Sequence, residues 1–332
     1  MRWLEQYWYR ISPLHLVLWP ISVLFGTLAN LRRLLYRGGL LAAARLAVPT
    51  IVVGNISVGG TGKTPLVIWL AVRLREHGYR PGIVCRGYQG RARTPQRAAA
   101  DADPRLVGDE AVLLARRSNC PVWVGSQRVM AARALLAAHP ECGVIISDDG
   151  LQHYALARDV AIAVIDGVRG FGNGMLLPAG PLREPLRLLE GFDALVINGV
   201  ALFPREMLPA RVAAFDMNTG GRTFYSLVNP QQQTGPEHFA GRRVHAVAAI
   251  GNPQRFFDYL RGLGVSFVAH PFPDHHAFEA ADLAFGDNDA IIMTEKDAVK
   301  CESFGSENHW VLRINAEIDP MLGELILRKI EI

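Results

Sequence analysis

The sequence predicts a doubly wound α/β protein. It should have a mostly parallel sheet, a second, smaller α/β domain, and an apolar helix at the N-terminus. Three observations carry this. Short β-branched apolar runs alternate with helical stretches from residue 50 onward, the pattern of strand–helix–strand units. A glycine-rich loop joins the first of those strands to the first of those helices. Near Thr219–Pro236 the composition turns to Thr, Asn, Gln, Gly and Pro before the alternation resumes, which marks a boundary. With 332 residues two domains are expected, because one core rarely grows past about 250 to 300 residues. The chain divides into an N-terminal segment 1–48, a larger domain 49–222 and a smaller domain 223–332.

Composition narrows the class. Half the residues are apolar and 20% are charged, which excludes a disordered chain and a small disulfide-stapled one. The four Cys, at 85, 120, 142 and 301, form no C-x-x-C pair, so a reducing compartment is expected. The net charge of +4 is local in origin: residues 1–48 hold six Arg against the single acid Glu5, and the rest is nearly neutral. A general nucleic-acid coat is therefore a poor reading, and no nucleic-acid partner is expected.

In the N-terminal segment, Leu14–Leu31 contains no Asp, Glu, Lys or Arg, and Arg2, Arg10, Arg32 and Arg33 bracket it. Trp3, Trp8 and Trp19, with Tyr7, Tyr9 and Tyr36, gather on the same run. Such rings favour a membrane interface, and the basic excess favours an anionic one. As a helix the run would reach roughly 27 Å, just short of a hydrocarbon core of about 30 Å. A helix lying on the membrane is the preferred reading. A single span and a buried core helix are the alternatives. No second stretch is apolar enough for a multi-span transporter.

Thr50–Gly54 reads as a buried strand, and Lys63–His77 as the helix after it, with Gly78 at its end. Further strands are expected at Gly82–Cys85, Val122–Val124, Val144–Ser147, Val160–Ile165 and Ala194–Asn198, with helices at Glu110–Arg117 and Gln127–His139. Asp166–Pro185, with five Gly and three Pro, is too irregular for either and too long for an idle turn. Beyond the boundary, Val244–Ile250, Val265–Ala269, Ala290–Thr294 and Trp310–Ile314 are strand candidates.

Between the first strand and helix stands Ser57-Val58-Gly59-Gly60-Thr61-Gly62-Lys63-Thr64. Strand, glycine loop and helix N-terminus together form a phosphate cradle, so the fold is P-loop NTPase-like. Lys63 would reach the outer phosphates of ATP, and the Thr64 hydroxyl would face Mg²⁺. The matching carboxylates should end another strand, where Asp148 and Asp149 follow Val144–Ser147. Asp109, in Gly108-Asp109-Glu110, reads either as a helix-start acid or as a general base. Pro273-Asp274-His275-His276 also stands before an expected helix. Asp274 is a helix cap or a partner orienting His275. The loop Gly90–Arg97 binds a substrate phosphate or is simply solvated, and Thr294–Asp297 is a polar site wall or a turn.

Taken in order, these blocks resemble the tetraacyldisaccharide 4′-kinase family of Gram-negative bacteria. They are Gly54-Asn55 with Ser57–Pro65, Arg86-Gly87-Tyr88, Gly108-Asp109-Glu110, Asp148–His153, the Phe171–Pro185 run, Phe272–His276 and Thr294–Asp297. The resemblance implies a kinase that moves the γ-phosphate of ATP to the 4′-hydroxyl of tetraacyldisaccharide 1-phosphate in lipid A synthesis. It would work at the cytosolic face of the inner membrane. It implies Asp109 as base working with His275, Lys63 on the phosphates, Mg²⁺ on Thr64 with Asp148 or Asp149, and Arg86, Tyr88, Gln152, Arg183 and Glu184 at the acceptor cleft. The competing readings are a P-loop switch or metallochaperone ATPase, which needs no acceptor base, and a membrane-bound scaffold that binds ATP only structurally.

Overall fold

The computed structural model describes residues 7–9, 12–88, 90, 92, 94–286 and 288–331. Arg2, Trp3, Glu5, Arg10, Arg91 and Arg93 lie outside them.

Helix α1 (Leu14–Arg37) is apolar but inverted. Its buried residues are His15, Ser22 and Arg33. Leu16, Val17, Trp19, Ile21, Leu24 and Leu28 face outward, with Leu16 79% and Trp19 58% exposed. The expected alternative of a buried core helix does not fit this arrangement, because the polar side faces the protein. The helix is seated on the glycine- and proline-rich run. Ser22 Oγ donates to Leu176 O at 2.7 Å, and the buried Trp8 donates from Nε1 to Pro178 O at 2.9 Å.

The chain then builds β1 (Thr50–Gly54), α2 (Lys63–Glu76), β2 (Pro81–Cys85), β3 (Gln96–Arg97), α3 (Pro104–Val107), α4 (Asp109–Ser118), β4 (Val122–Val124), α5 (Arg128–Ala138), β5 (Val144–Asp148), β6 (Val160–Asp166), β7 (Ala194–Asn198) and β8 (Ala213–Gly220). Strands β8-β7-β6-β1-β5-β2-β4 lie side by side and parallel, with β3 antiparallel at one edge. β1, β2, β5, β6 and β7 are buried along their whole length, which explains their uninterrupted apolar runs. The chain steps from β1 to β2 on one side, and later from β5 to β6 on the other. The crevice at the carboxyl ends of β1 and β5 is therefore a topological switch point, where such sheets place ligands.

The second sheet is formed by β9 (Phe224–Ser226), β10 (Gln233–Thr234), β11 (Val244–Ala248), β12 (Val268–Pro271), β13 (Ala290–Thr294) and β14 (His309–Leu312), in the order β10-β9-β14-β13-β11-β12. Helices α6 (Pro253–Gly262) and α7 (Glu295–Cys301) flank it.

The expected extent of the second domain, 223–332, differs from this at its end. Strand β15 (Asn315–Ile318) returns to pair antiparallel with β8 in the first sheet. Helix α8 (Met321–Ile330) buries Leu322, Ile326 and Ile330 in the first domain's core. The cause is apolar: β8 would otherwise be an open edge, and the core beside α2 would lack its cover. The second sheet is thus inserted in the first domain. The two crossings run side by side, with Arg313 N bonded to Thr223 O at 3.0 Å.

Candidate active site

The loop between β1 and α2 is shaped from outside as well as by its own glycines. Val58 N bonds to Pro181 O at 2.8 Å, Arg183 N bonds to Ile56 O at 2.6 Å, and Ser57 bridges Leu182. The Phe171–Pro185 run therefore carries α1 on one side and the phosphate loop on the other. Gly59, Gly60 and Thr61 continue the loop to Gly62, which caps α2 at φ +91°. A Cβ on Gly62 would stand 2.2 Å from Asn198 Nδ2, so no side chain fits. Asn198 itself donates to Thr61 O at 3.0 Å and fixes the loop from β7.

Lys63 begins α2, and Thr64 follows in its first turn. The Lys63 ammonium lies 3.4 Å from Asn55 Oδ1 and 3.4 Å from Asp149 Oδ1. Asp149 also meets Arg183 at 3.3 Å. Burial pushes the Asp149 carboxyl up, but Lys63 and Arg183 outweigh it and hold it below the ordinary carboxylate range. Asp148 behaves in the opposite way. It is buried at the end of β5, its Oδ1 has no hydrogen-bond partner among the described residues, and its carboxyl is pushed up to about 7. Burial is the main cause, and the charges of Glu110 and Asp149 add to it. Gln152 donates to Asn55 O at 3.0 Å, beside the loop.

Across the crevice stands a second constellation. Asp109 opens α4, and its Oδ2 lies 3.1 Å from His275 Nδ1. His275 sits at φ +59° on the turn after β12, and its backbone N–H is tied to Ala249 O at 3.1 Å. Its Nε2 is 3.2 Å from Lys296 Nζ, and Lys296 also bonds Glu110 at 3.1 Å. Burial raises the Asp109 carboxyl, but His275, Lys296 and Lys300 together draw it below its ordinary value. For Lys296, burial favours the neutral amine, yet Glu110, Asp109 and Asp274 hold its proton more tightly than usual. Tyr88 covers the pair, its ring 5.1 Å from that of His275. The two halves face each other closely: a Cβ built on Gly251 would be 3.5 Å from Asp274 Oδ2 and 3.7 Å from Gly60 N.

Several expectations are placed differently. Asp274 is 3.8 Å from His275 Nε2, outside hydrogen-bond reach, so His275 pairs with Asp109 instead. No helix follows His276 directly among the described residues; the chain enters a 3₁₀ turn at Ala280–Leu283. Thr294 caps α7, and Asp297 within it accepts from Ala249 N at 3.0 Å, so this block braces the His275 turn. Arg86 is exposed at the end of β2. Glu184 is buried and faces away from Arg183, accepting from the Tyr154 hydroxyl at 2.5 Å. Of the basic loop, Arg97 is exposed on β3.

Sequence reading missed Arg128, Asn198, Arg255 and Lys300. Arg128 is buried at the start of α5 and donates to Gly125 O at 2.7 Å and to Asp148 O at 3.3 Å. A cation at a helix N-terminus opposes the helix dipole, and that was the available signal. Arg255 reaches from α6 to Asn198 Oδ1 at 3.0 Å, and Lys300 stands 3.9 Å from Asp109.

A phosphate loop at a switch point, facing a buried carboxylate–imidazole pair on the far wall, defines a P-loop phosphotransferase. The sequence profile of the Tetraacyldisaccharide-1-P 4'-kinase family matches residues 14–331, and the chain belongs to that family. It is 51% identical over 329 residues to the tetraacyldisaccharide 4'-kinase of Methylobacillus flagellatus, covering 99% of this chain and 96% of that one. It is 50% identical over 327 residues to that of an Azoarcus strain, covering 98% and 94%. The crystal structure of LpxK from Aquifex aeolicus, solved in complex with ATP, superposes at a TM-score of 0.81 with 28% identity, covering 96% of this chain and 99% of that one. The activity of the family is ATP-dependent phosphorylation of the 4′-position of tetraacyldisaccharide 1-phosphate, a step of lipid A biosynthesis.

Proposed function

We propose that Asp109 is the general base of this transfer, held and oriented by His275, and that ATP is cradled opposite it on Ser57–Thr64. The observation that carries the reading is the Asp109–His275 contact of 3.1 Å, made across the crevice from Lys63. A switch ATPase needs the loop but has no use for a depressed, ordered carboxylate on the facing wall. Asp109 is kept ionised by its cationic neighbours, so it is ready to accept the proton of the sugar hydroxyl as that oxygen attacks in line. His275 fixes the carboxylate and takes part of the charge change. Lys63 exchanges Asp149 for the outer phosphates of ATP, and the loop amides hold the transferring group. Tyr88, Arg86, Gln152 and Arg183 line the approach of the acceptor, while Glu184 is turned to Tyr154.

The residues present suit Mg²⁺. Asp148 carries a buried oxygen without a partner among the described residues and a carboxyl whose ionisation burial makes costly, both of which a cation would relieve. Thr64 with Asp148 or Asp149 would hold the ion, which when bound would neutralise charge on the phosphates.

The outward apolar face of α1 supports a seat on the bilayer surface, with its polar side kept on the protein. The four free cysteines suit the cytosolic side. A lipid acceptor then keeps its acyl chains in the membrane while the sugar enters the crevice.

The test is a transfer assay in mixed micelles with Mg²⁺-ATP and tetraacyldisaccharide 1-phosphate. Asp109→Asn should lower kcat by about 10²- to 10⁴-fold while ATP still binds. Turnover of ATP without a phosphorylated lipid, unchanged by Asp109→Asn, would favour the switch ATPase instead.

A further inference from the structure

A cation stands at the phosphate loop with nothing yet to hold. A Cβ built on Gly59, the third residue of the loop, would be 3.0 Å from Arg169 Nη1. Arg169 lies on the turn after β6, the strand beside β1. That turn is firmly made. Asp166, buried at the end of β6, accepts from Val168 N at 3.0 Å and from Arg169 N at 2.9 Å. Gly170 N bonds to Asp166 O at 2.8 Å, Gly167 N to Asn198 O at 2.9 Å, and Leu202 N to Gly167 O at 2.8 Å. Arg169 is thus aimed at the loop from the ends of two neighbouring strands. It is half-buried, yet its guanidinium has no hydrogen bond or ion pair among the described residues. The cations around it are committed: Lys63 and Arg183 share Asp149, and Arg255 is bonded to Asn198 and Thr219. Gly59, at φ +111°, has no side chain to hold the guanidinium off the loop. The next residue, Gly60, is where the far wall meets the loop. The Cβ position of Gly251 lies 3.7 Å from Gly60 N and 3.5 Å from Asp274 Oδ2, one residue before His275. Arg169 therefore covers the stretch of loop from which a phosphoryl group would cross to Asp109.

We propose that Arg169 is a catalytic residue that binds the γ-phosphoryl group of ATP and stabilises its charge during transfer, an arginine finger supplied by the chain itself; this rests on the nucleotide seat given above. A guanidinium offers paired donors in a fixed plane, which suits two oxygens of one phosphoryl group. In the transition state charge spreads over the three equatorial oxygens of that group. As the acceptor oxygen bonds to the γ-phosphorus, the bond to the β–γ bridging oxygen breaks. The electron pair leaves with ADP, and the hydroxyl proton goes to Asp109. Arg169 forms and breaks no covalent bond; it holds the passing oxygens. Because its turn is already fixed, the donor is in place before the reaction begins.

The experiment uses the full chain in mixed micelles with Mg²⁺-ATP and tetraacyldisaccharide 1-phosphate. Arg169→Ala should lower kcat on the order of 10³-fold, with ADP affinity and Tm retained. A second readout needs no turnover. The wild type should bind ADP with aluminium fluoride, a mimic of the passing phosphoryl group, about tenfold or more tightly than ADP alone, and Arg169→Ala should erase that gain. Arg169→Gln keeps most of the side chain's reach but not its charge, so it should fail as Arg169→Ala does. Normal transfer by Arg169→Gln would mean packing rather than charge and overturn the proposal. So would an Arg169→Ala kcat within about threefold of the wild type, or an equal loss of ADP and ATP binding, which marks a general anchor or a damaged fold. Lys63→Ala separates this proposal from the reading beneath it, since it should weaken ADP and ATP alike. If it leaves both unchanged, the nucleotide is not on the loop and both readings fall. If it weakens both while Arg169→Ala transfers normally, the Arg169 assignment alone falls. If no lipid is phosphorylated but the Arg169-dependent gain with aluminium fluoride persists, the acceptor reading fails and Arg169 keeps its role.

Discussion

Gly62→Ala tests how the phosphate loop is held. Gly62 sits at φ +91°, where an L-residue costs about 1–2 kcal/mol. Its new Cβ would fall 2.2 Å from Asn198 Nδ2, an overlap that one side must yield. Asn198 is buried and tied at both ends of its amide. It donates to Thr61 O at 3.0 Å and accepts from Arg255 Nη2 at 3.0 Å and Thr219 Oγ1 at 3.2 Å. Turning it away breaks bonds worth about 1 kcal/mol each. The substitution should therefore destabilise the protein by about 3–5 kcal/mol and weaken ATP binding. Urea unfolding followed by near-ultraviolet circular dichroism measures the first, and nucleotide titration the second. The clash is separable from the backbone strain. In an Asn198→Ala background the obstacle is gone, so Gly62→Ala should cost only about 1–2 kcal/mol there, a coupling of about 2 kcal/mol between the sites. A Gly62→Ala protein within about 0.5 kcal/mol of the wild type, or strictly additive variants, would refute this account of the loop.

Other expectations follow from the same geometry. The Asp148 carboxyl, pushed up to about 7, has a folded value above its unfolded one, so its contribution to stability is full below about pH 4 and is lost as pH rises through 7. Asp148→Asn should therefore stabilise the nucleotide-free protein at pH 8 by on the order of 3 kcal/mol while destroying transfer; no gain in Tm at pH 8 would contradict the burial argument. The His153 imidazole is pushed down to about 4, by burial first and then by the charges of Arg128, Arg32, Arg158 and Arg86. Its contribution is present above about pH 6.5 and lost as pH falls toward 4, so His153→Gln should flatten the acid limb of a Tm-versus-pH curve. Replacing Leu16, Leu24 and Leu28 together by Ser should sharply reduce co-sedimentation with anionic vesicles while leaving kcat in micelles nearly unchanged, since these side chains face away from the protein.

Much of the first sheet was legible because strands buried on both faces are written as unbroken apolar runs. Thr50–Gly54, Val122–Val124 and Ala194–Asn198 have the bounds their composition suggests. Strands β8 and β15 were not legible. β8 is half exposed at its residues, carries Asp216 and Asn218, and reads as linker. β15 is four residues long, and only its pairing partner gives it a place. In the site, the loop and the carboxylates after β5 announce themselves through local chemistry. The pairing of Asp109 with His275 spans 166 positions, and no local pattern encodes it. The same holds for Arg128 and Arg255, whose partners come from other strands. The inverted face of α1 was hidden for another reason: a run so uniformly apolar does not say which side the protein takes.

Because the second sheet is inserted, the order of synthesis matters. The phosphate loop, β1 and β5 leave the ribosome early, but β15 and α8, which close the edge of their sheet and cover their core, come only after Leu312. During translation the nascent first domain must wait, with an open strand and an uncovered apolar flank, while the inserted domain is made. A message that stops just after Leu312 would encode every residue of the phosphate cradle and of its facing wall. It would still yield a protein whose nucleotide-binding half is the part left unfinished. β15 and α8 thus act as a completion check: the ATP-binding half is closed only once these two elements have been made.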